Sequence, residues 1–532
     1  MIKASSSVFA LGPKVLFKEV RSNNQLEYIV LNRESEKKYI LHGWAYMVFE
    51  MILSNDLLDV NTVCTQIIKQ NICTENIDVT RRVSRILSDL YLKGVIHECD
   101  YASKKKFELQ NNVYLSKSDN YYITNFQYGT KDKISFDTYT KLSSGLIEEL
   151  SDDDQFLLYK HNYLGIKNQL MDFETFDDTD AKKNVYIILS YACNFKCTYC
   201  FEMDKENKDL KKMSEDTFSD VLSYLDHEVS VEDAIITFYG GEPLLQENEE
   251  RIRMILERFR NHENIKYRII TNGLNAGAFS GWFIDYHDQI HEFVITIDGL
   301  QAVHDQRRIL SDGSATFTSI VESVAKLIDL GFFVTVRVNI ERSNYDSQIE
   351  LAKYLDKLFS DTKEQMRLSY HLVEAKCDVN DIPLNTVLLF QLVESLKKVT
   401  EIPISCAHPA ISFIERYSEP YYIQEYLIPF CGLRKNRVID FDGIVYSCNE
   451  AMGLENFSIG NIESVGNISS EGVYNLSRKC MGCEFYLLCL GGCSLKNEMH
   501  TRKGTLNCKK EEIKSYIDSY LHQNLNKASV LV

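Results

Sequence analysis

The stretch Val185–Cys200, VYIILSYACNFKCTYC, decides how this chain is read. It opens as an apolar run of strand type and leads into Cys193, Cys197 and Cys200, spaced C-x3-C-x2-C. Three thiolates on one short loop suit three irons of a [4Fe–4S] cube and leave the fourth iron open to a small molecule. A zinc site is the bland alternative, but zinc usually takes four ligands, often as paired C-x2-C knuckles. Tyr199, beside Cys200, is placed to pack over a cluster or cofactor.

Downstream of this stretch the pattern is regular. Strand-like runs AIITFYGG, YRIITNG, EFVITIDG, FFVTVRVNI and RLSYHLVEA alternate with amphipathic helical runs such as SEDTFSDVLSYLDHE and TFTSIVESVAKLIDLG. Such alternation predicts right-handed βαβ units and a parallel sheet. Six strands are too few for a closed eight-stranded barrel, so a partial barrel or an open sheet is expected. In either, functional groups gather at the C-terminal strand ends. The notable motifs fall there: the cysteines after the first strand, Gly240-Gly241-Glu242-Pro243 after the second, Thr271-Asn272-Gly273 after the third and Thr296-Ile297-Asp298-Gly299 after the fourth.

Upstream, KVLFKEV, LEYIVLN and KKYILHG read as strands, followed by helical periodicity in GWAYMVFEMILSN, DVNTVCTQIIKQN and DVTRRVSRILSDLYLKGVI. This is the order of a winged-helix-like module. Residues 100–180 mix short strands and short helices. The C-terminal region is loop-rich and dense in cysteine: Cys431-x11-Gly443-x4-Cys448, then Cys480-x2-Cys483-x5-Cys489-x3-Cys493, then Cys508.

Composition sets bounds on function. The chain has 532 residues, 45 % of them hydrophobic and 25 % charged, which is ordinary for a globular protein. A formal net charge of −17 argues against bulk attraction to nucleic acid. The N-terminus has no apolar run of signal length, and no segment reaches the ~20 apolar residues that span a bilayer. A cytoplasmic location without membrane association is expected. Fifteen cysteines in that reducing compartment call for metal binding rather than disulfides.

The cysteine loop with GGEP behind it resembles the radical S-adenosylmethionine (SAM) superfamily. The resemblance implies that Cys193, Cys197 and Cys200 ligate a SAM-cleaving [4Fe–4S] cluster. It also implies that Gly240, Gly241, Glu242 and Pro243 help bind SAM, with Glu242 accepting from the SAM ammonium. Asn272, Thr296 and Asp298 fall where similar enzymes contact SAM or substrate, although each also suits a strand-end turn. Arg337, on the fifth strand, faces the cofactor or pairs with a neighbouring carboxylate. His304, Asp305 and Arg307 follow the IDG turn, and a helix-capping network is the preferred reading of His304.

The C-terminal cysteines and Gly443 resemble the SPASM domain, which carries two auxiliary [4Fe–4S] clusters in peptide-modifying relatives. By that resemblance Cys480, Cys483, Cys489 and Cys508 ligate one cluster, and Cys431, Cys448 and Cys493 hold three irons of the other. The eighth ligand is left between Cys406, Cys377, water and a substrate group. A pair of zinc knuckles is the structural alternative.

The expected architecture is α/β: a partial (β/α)6 radical SAM barrel at 181–400, a winged-helix-like domain at 1–100, a bridge at 101–180 and a SPASM domain at 401–532. The N-terminal module resembles the recognition element of maturases of ribosomally made, post-translationally modified peptides. Such elements bind a leader peptide as an added strand; a DNA-binding winged helix is the alternative. The expected function is a crosslink in a precursor peptide, thioether first, then C–C or C–O. Its expected cofactors are three [4Fe–4S] clusters and SAM, and its electron donor is a flavodoxin or ferredoxin. A formylglycine-generating sulfatase maturase is the second reading. Similar maturases place an Asp after the second SPASM cysteine, whereas here Asn449 and Glu450 follow Cys448. Glu450 is a candidate base or a solvated loop carboxylate. An iron–sulfur electron carrier is the non-enzymatic alternative.

Overall fold

A computed structural model of the chain describes parts of residues 8–98, nearly all of 107–166, and 183–200, 211–228, 233–373, 386–406 and 436–463. It also describes parts of 480–495 and residues 508–525. The first layer contains β1 (Val8–Leu11), β2 (Val15–Ser22), β3 (Gln25–Asn32), β4 (Lys37–Leu41), α1 (Trp44–Ser54), β5 (Leu58–Asp59) and β6 (Ile96–Glu98). β2, β3 and β4 form an antiparallel sheet in that order, as their alternating apolar residues predict. β1 pairs with both β5 and β6. The two further helices expected before residue 96 fall largely outside the described residues.

Residues 107–166 hold β7 (Phe107–Leu109), β8 (Val113–Lys117), β9 (Tyr121–Asn125), β10 (Thr130–Ile134), α2 (Phe136–Ser143), α3 (Asp152–Lys160) and β11 (Leu164–Ile166). Ser135 and Ser151 cap the two helices, each hydroxyl accepting a backbone N–H three residues on. This bridge shares one hydrophobic core with the N-terminal layer. Phe17, Tyr28 and Phe49 pack in a single cluster with Ile123, Leu158 and Tyr163. Lys160 pairs with Glu50 at 2.6 Å across the same seam.

The central layer runs β12 (Lys183–Ile188), α4 (Glu215–Glu228), β13 (Ala234–Tyr239), α5 (Glu249–Arg258), β14 (Ile265–Thr271), α6 (Ala276–Phe283) and β15 (Ile290–Thr296). It continues with α7 (Gln301–Arg307), α8 (Phe317–Asp329), β16 (Val334–Ile340), α9 (Gln348–Leu358), β17 (Met366–Leu372) and α10 (Thr386–Leu396). Strands β12 to β17 pair in sequence order, all parallel. The six strands are those legible in the sequence, as are their helices except the short α7.

Both ends of this sheet are longer than expected. β18 (Ile404–Cys406) adds to β17, and β19 (Asn436–Ile439) adds to β12, both in parallel. β20 (Ile444–Tyr446) and β21 (Ser458–Asn461) then extend it antiparallel, giving ten strands. Strands of three or four residues carry too little alternation to be read from sequence. The chain ends with α11 (Tyr486–Cys489) and α12 (Lys510–Leu525). No described helix is long and apolar enough to cross a membrane.

Burial alternates across the sheet. On β14, Ile265, Tyr267 and Ile269 are fully buried on one face, while Lys266, Arg268 and Ile270 are half-buried on the other. The first face packs in one core with Ile252, Ile255 and Leu256 of α5 and Ile320, Val324 and Leu327 of α8. Each such side chain contributes roughly 1.5–3 kcal/mol relative to exposure. The opposite face is polar. Arg268 pairs with Glu292 at 2.7 Å, and Thr335 donates to Glu292 at 2.5 Å. Arg337, Asn339, Ser369 and His371 share that face on β16 and β17.

Candidate active site

The loop after β12 carries Cys193, Cys197 and Cys200 as half-buried thiols outside any disulfide. A second segment holds the loop from below. Lys196 N–H donates to Ile309 O at 2.7 Å and Thr198 N–H to Arg307 O at 3.0 Å, while Ser311 N–H donates to Asn194 O at 2.9 Å. Phe195 and Leu310 form an antiparallel bridge at the centre. The cysteine loop is thus one edge of a short ladder whose other edge is residues 307–311. Phe195 N–H also faces the Cys193 sulfur at 3.4 Å, the contact a metal-bound thiolate accepts.

The GGEP loop meets the same loop from the side. Gly241 N–H donates to Ser190 O and Glu242 N–H to Ala192 O, at 3.2 and 2.9 Å. A Cβ on Gly241 would lie 2.2 Å from Ala192 O, and Gly240 has φ +117°. Both glycines are therefore required by backbone approach. Pro243 is buried behind them.

Glu242 is 1 % exposed, and its carboxylate already accepts three donors. Leu244 N–H and the Thr271 hydroxyl donate to Oε1 at 2.8 and 2.6 Å, and Asn272 N–H donates to Oε2 at 2.7 Å. Burial pushes its carboxyl above the usual range, against the pull of those donors. Glu242 thereby latches the β13 loop to the end of β14. Asn272 extends the latch, its Nδ2 donating to Asn194 Oδ1 in the cysteine loop at 2.7 Å.

Asp298 is fully buried. Its Oδ2 accepts from the Tyr199 hydroxyl at 2.5 Å and its Oδ1 from Asn339 N–H at 2.9 Å. Glu242 and Asp298 are both buried at the strand ends, and each joins loops through its hydrogen bonds. Thr296 is buried at the end of β15, beside Arg337 in register. Arg337 is half-buried and its Nε donates to Asn339 Oδ1 at 3.0 Å. His304 lies in a capping network. Its Nδ1 faces Asp298 N–H and its Nε2 the Thr316 hydroxyl, while Asp305 accepts from Thr316 and Phe317 N–H and so caps α8.

Arg308 is the residue that sequence reading missed. Its Nη1 donates to the Tyr199 hydroxyl at 2.8 Å, and its guanidinium stands 5.5 Å from the Phe195 ring centroid.

The C-terminal cysteines fall in two places. Cys448 and Cys493 pack against a cluster with Tyr446, Met452 and Leu495. Cys480, Cys483 and Cys489 pack against the main core around Phe485 and Tyr486. Cys508 is exposed and near enough to Cys483 to bear on its charge. Burial pushes the Cys448 thiol up to about 11, opposed by the backbone N–H groups of Glu450 and Ala451. Glu450 itself is exposed, and it is its backbone that faces the sulfur. Cys406 ends β18 beside Tyr370 in register and is buried in the main core. Cys431 and Cys377 lie outside the described residues.

The donor chemistry fits iron–sulfur clusters. None of the described cysteines is in a disulfide, and each thiolate of a cubane binds a different iron. Among the described residues no three Cys, His, Asp or Glu side chains converge on a single-ion site.

Residues 187–355, from β12 to α9, match the family model described as the radical SAM superfamily. The chain thus carries a radical SAM domain within a mixed α/β fold. Among similar proteins is the cysteine-type anaerobic sulfatase-maturating enzyme of Clostridium novyi (strain NT), 23 % identical over 59 % of this chain and 88 % of that one. Another is the radical SAM cyclopropyl synthase TigE of Paramaledivibacter caminithermalis, 24 % identical over 31 % of this chain and 36 % of that one. The chain thus spans about a third of TigE. Among solved structures, SuiB of Streptococcus suis bound to S-adenosylmethionine aligns with a TM-score of 0.47 and 13 % identity, over 94 % of this chain and 99 % of that one.

Proposed function

We propose that this chain is a radical SAM maturase that installs a crosslink, a thioether first, in a ribosomally made precursor peptide. What carries the reading is the cysteine loop: three half-buried thiols at the C-terminal end of β12, fastened to β13, β14 and β15 ends by the Glu242, Asn272 and Asp298 contacts. In this reading Cys193, Cys197 and Cys200 hold the catalytic cluster. With SAM bound there, these residues would hold a group that supplies radical chemistry for hydrogen-atom abstraction from the substrate. The protein fixes the loop, shapes the polar face of the sheet and excludes water. Cys480, Cys483, Cys489 and Cys508 hold one auxiliary cluster, and Cys431, Cys448 and Cys493 the other.

A peptide substrate is supported by the edge of β4. Among the described residues β4 pairs with β3 alone, and Ile40 is 53 % exposed there. An extended leader can add to this edge as a further strand, with Ile40 packing against one of its side chains. The named activity of the sulfatase-maturating relative, which acts on a protein, supports the same substrate class and keeps formylglycine formation as the second reading.

The test is a triple Cys193→Ala, Cys197→Ala, Cys200→Ala variant of reconstituted protein. Wild type is expected to hold about 12 iron per chain and to form 5′-deoxyadenosine with dithionite and SAM. The variant is expected to keep its C-terminal iron and to form none. Retained 5′-deoxyadenosine refutes the assignment. Ile40→Glu is expected to weaken precursor binding and to spare SAM cleavage without substrate; unchanged affinity removes the leader site.

A further inference from the structure

Arg307 and Arg308 are both buried beneath the cysteine loop, at 5 % and 6 % exposure, but their charges are met differently. Arg307 pairs with Glu341 and lies 3.6 Å from Asp298. Arg308 has no carboxylate within 4 Å among the described residues. The one hydrogen-bonded partner of its guanidinium there is the Tyr199 hydroxyl, and its Nε–H is buried without an acceptor. Burial alone disfavours that charge, while Tyr199, Cys197 and Asp298 favour it and keep the guanidinium charged.

Asp298, linked to Arg308 through Tyr199, and Glu242 bear on this charge without a direct ion pair, and a buried cation with no direct partner is costly unless further negative charge stands nearby. The direct contacts of the Arg308 guanidinium lead to the cysteine loop. Its guanidinium lies over Phe195, whose N–H faces the Cys193 sulfur, and it holds Tyr199, the residue before Cys200. Three thiolates with a cubane form an anion at that place, and one-electron reduction adds a further negative charge. A fixed cation in a buried setting stabilises the reduced state more than the oxidised one.

We infer that Arg308 is the counter-cation of the catalytic cluster and raises its reduction potential. It is a positioning and tuning residue, which touches neither SAM nor substrate. The inference rests on the reading that Cys193, Cys197 and Cys200 hold the SAM-cleaving cluster.

The experiment is an anaerobic redox titration followed by electron paramagnetic resonance on the full reconstituted chain, as wild type, Arg308→Gln and Arg308→Lys. The catalytic signal is the one whose g values change when SAM is added. Gln keeps a donor for Tyr199 but no charge; Lys restores the charge. In Arg308→Gln the ratio of reduced to oxidised cluster at a fixed potential is expected to fall about tenfold, ~59 mV for one electron. In Arg308→Lys it is expected to stay within about threefold of wild type. Loss of the signal in Gln with a near wild-type potential in Lys also supports the inference. An unchanged potential in Gln overturns it. So does loss of the signal in both variants, which makes Arg308 a fold element. A wild-type chain with no SAM-responsive signal instead refutes the parent reading.

Discussion

The Tyr199 hydroxyl donates to the Asp298 carboxylate at 2.5 Å, so the last turn of the cysteine loop is tied to the end of the fourth barrel strand, 99 residues away in sequence. Asn339 Nδ2 donates to the same hydroxyl at 3.1 Å, which brings the fifth strand into the joint. Burial holds the phenol protonated, as a donor to Asp298 must be. Tyr199→Phe removes this tie without removing the ring. SAM cleavage is expected to fall ~10–100-fold, the range for groups that orient metal ligands. Rates of 5′-deoxyadenosine formation, normalised to iron content, check it.

Gly241→Ala is expected to separate the GGEP loop from the cysteine loop. The added methyl would lie 2.2 Å from Ala192 O and 2.4 Å from Tyr191 O, and both neighbours are backbone. Gly313→Ala meets nothing within 4 Å but is strained by φ +87°, by roughly 1–2 kcal/mol. The thermal midpoint should therefore fall much further for Gly241→Ala, with loss of the SAM-responsive cluster signal in that variant alone.

His304 makes the fold acid-sensitive. Burial, then Arg308 and Arg307, lower its pKa to about 3 from the usual 6.5. Below pH 6.5 the unfolded chain binds a proton there that the folded chain refuses. Stability from this group is complete above pH 6.5 and is lost as pH falls toward 3, by up to ~1.4 kcal/mol per pH unit. His371 titrates in the same direction, so the acid slope is shared. In His304→Gln the slope of unfolding free energy against pH between 6.5 and 4 should be shallower than in wild type; parallel slopes would count against a neutral, buried His304.

The bridge is fastened to the C-terminal helix by Asp518, which accepts from both Tyr114 and Ser116. Tyr114 also packs on Phe485, between Cys483 and Cys489, at 4.7 Å between ring centroids. Asp518→Ala leaves a largely buried tyrosine hydroxyl without its acceptor and is expected to cost about 1–3 kcal/mol. Urea denaturation followed by tyrosine fluorescence measures it, and an unchanged midpoint would show that the joint contributes nothing.

The alternation of β12 to β17 with their helices was legible because it is local: apolar spacing of two or of three to four residues names an element without knowledge of its partners. The position of Cys193, Cys197 and Cys200 after β12, and of the motifs at the ends of β13, β14 and β15, followed from the same pattern. A capping network was also the preferred sequence reading of His304, and its contacts with Asp298 and Thr316 are of that kind. Other features were settled only in three dimensions. The donors that Glu242 and Asp298 take, from Thr271, Asn272, Tyr199 and Asn339, are among them. Arg308 gave no motif of its own, because the meaning of a buried charge lies in which opposite charge is missing around it. The N-terminal sheet and the bridge share one core, and β18 and β19 extend the central sheet, through contacts between segments far apart along the chain. Local pattern sets what each segment becomes; which polar groups satisfy one another depends on the packing of distant segments, and spacing along the chain carries no record of it.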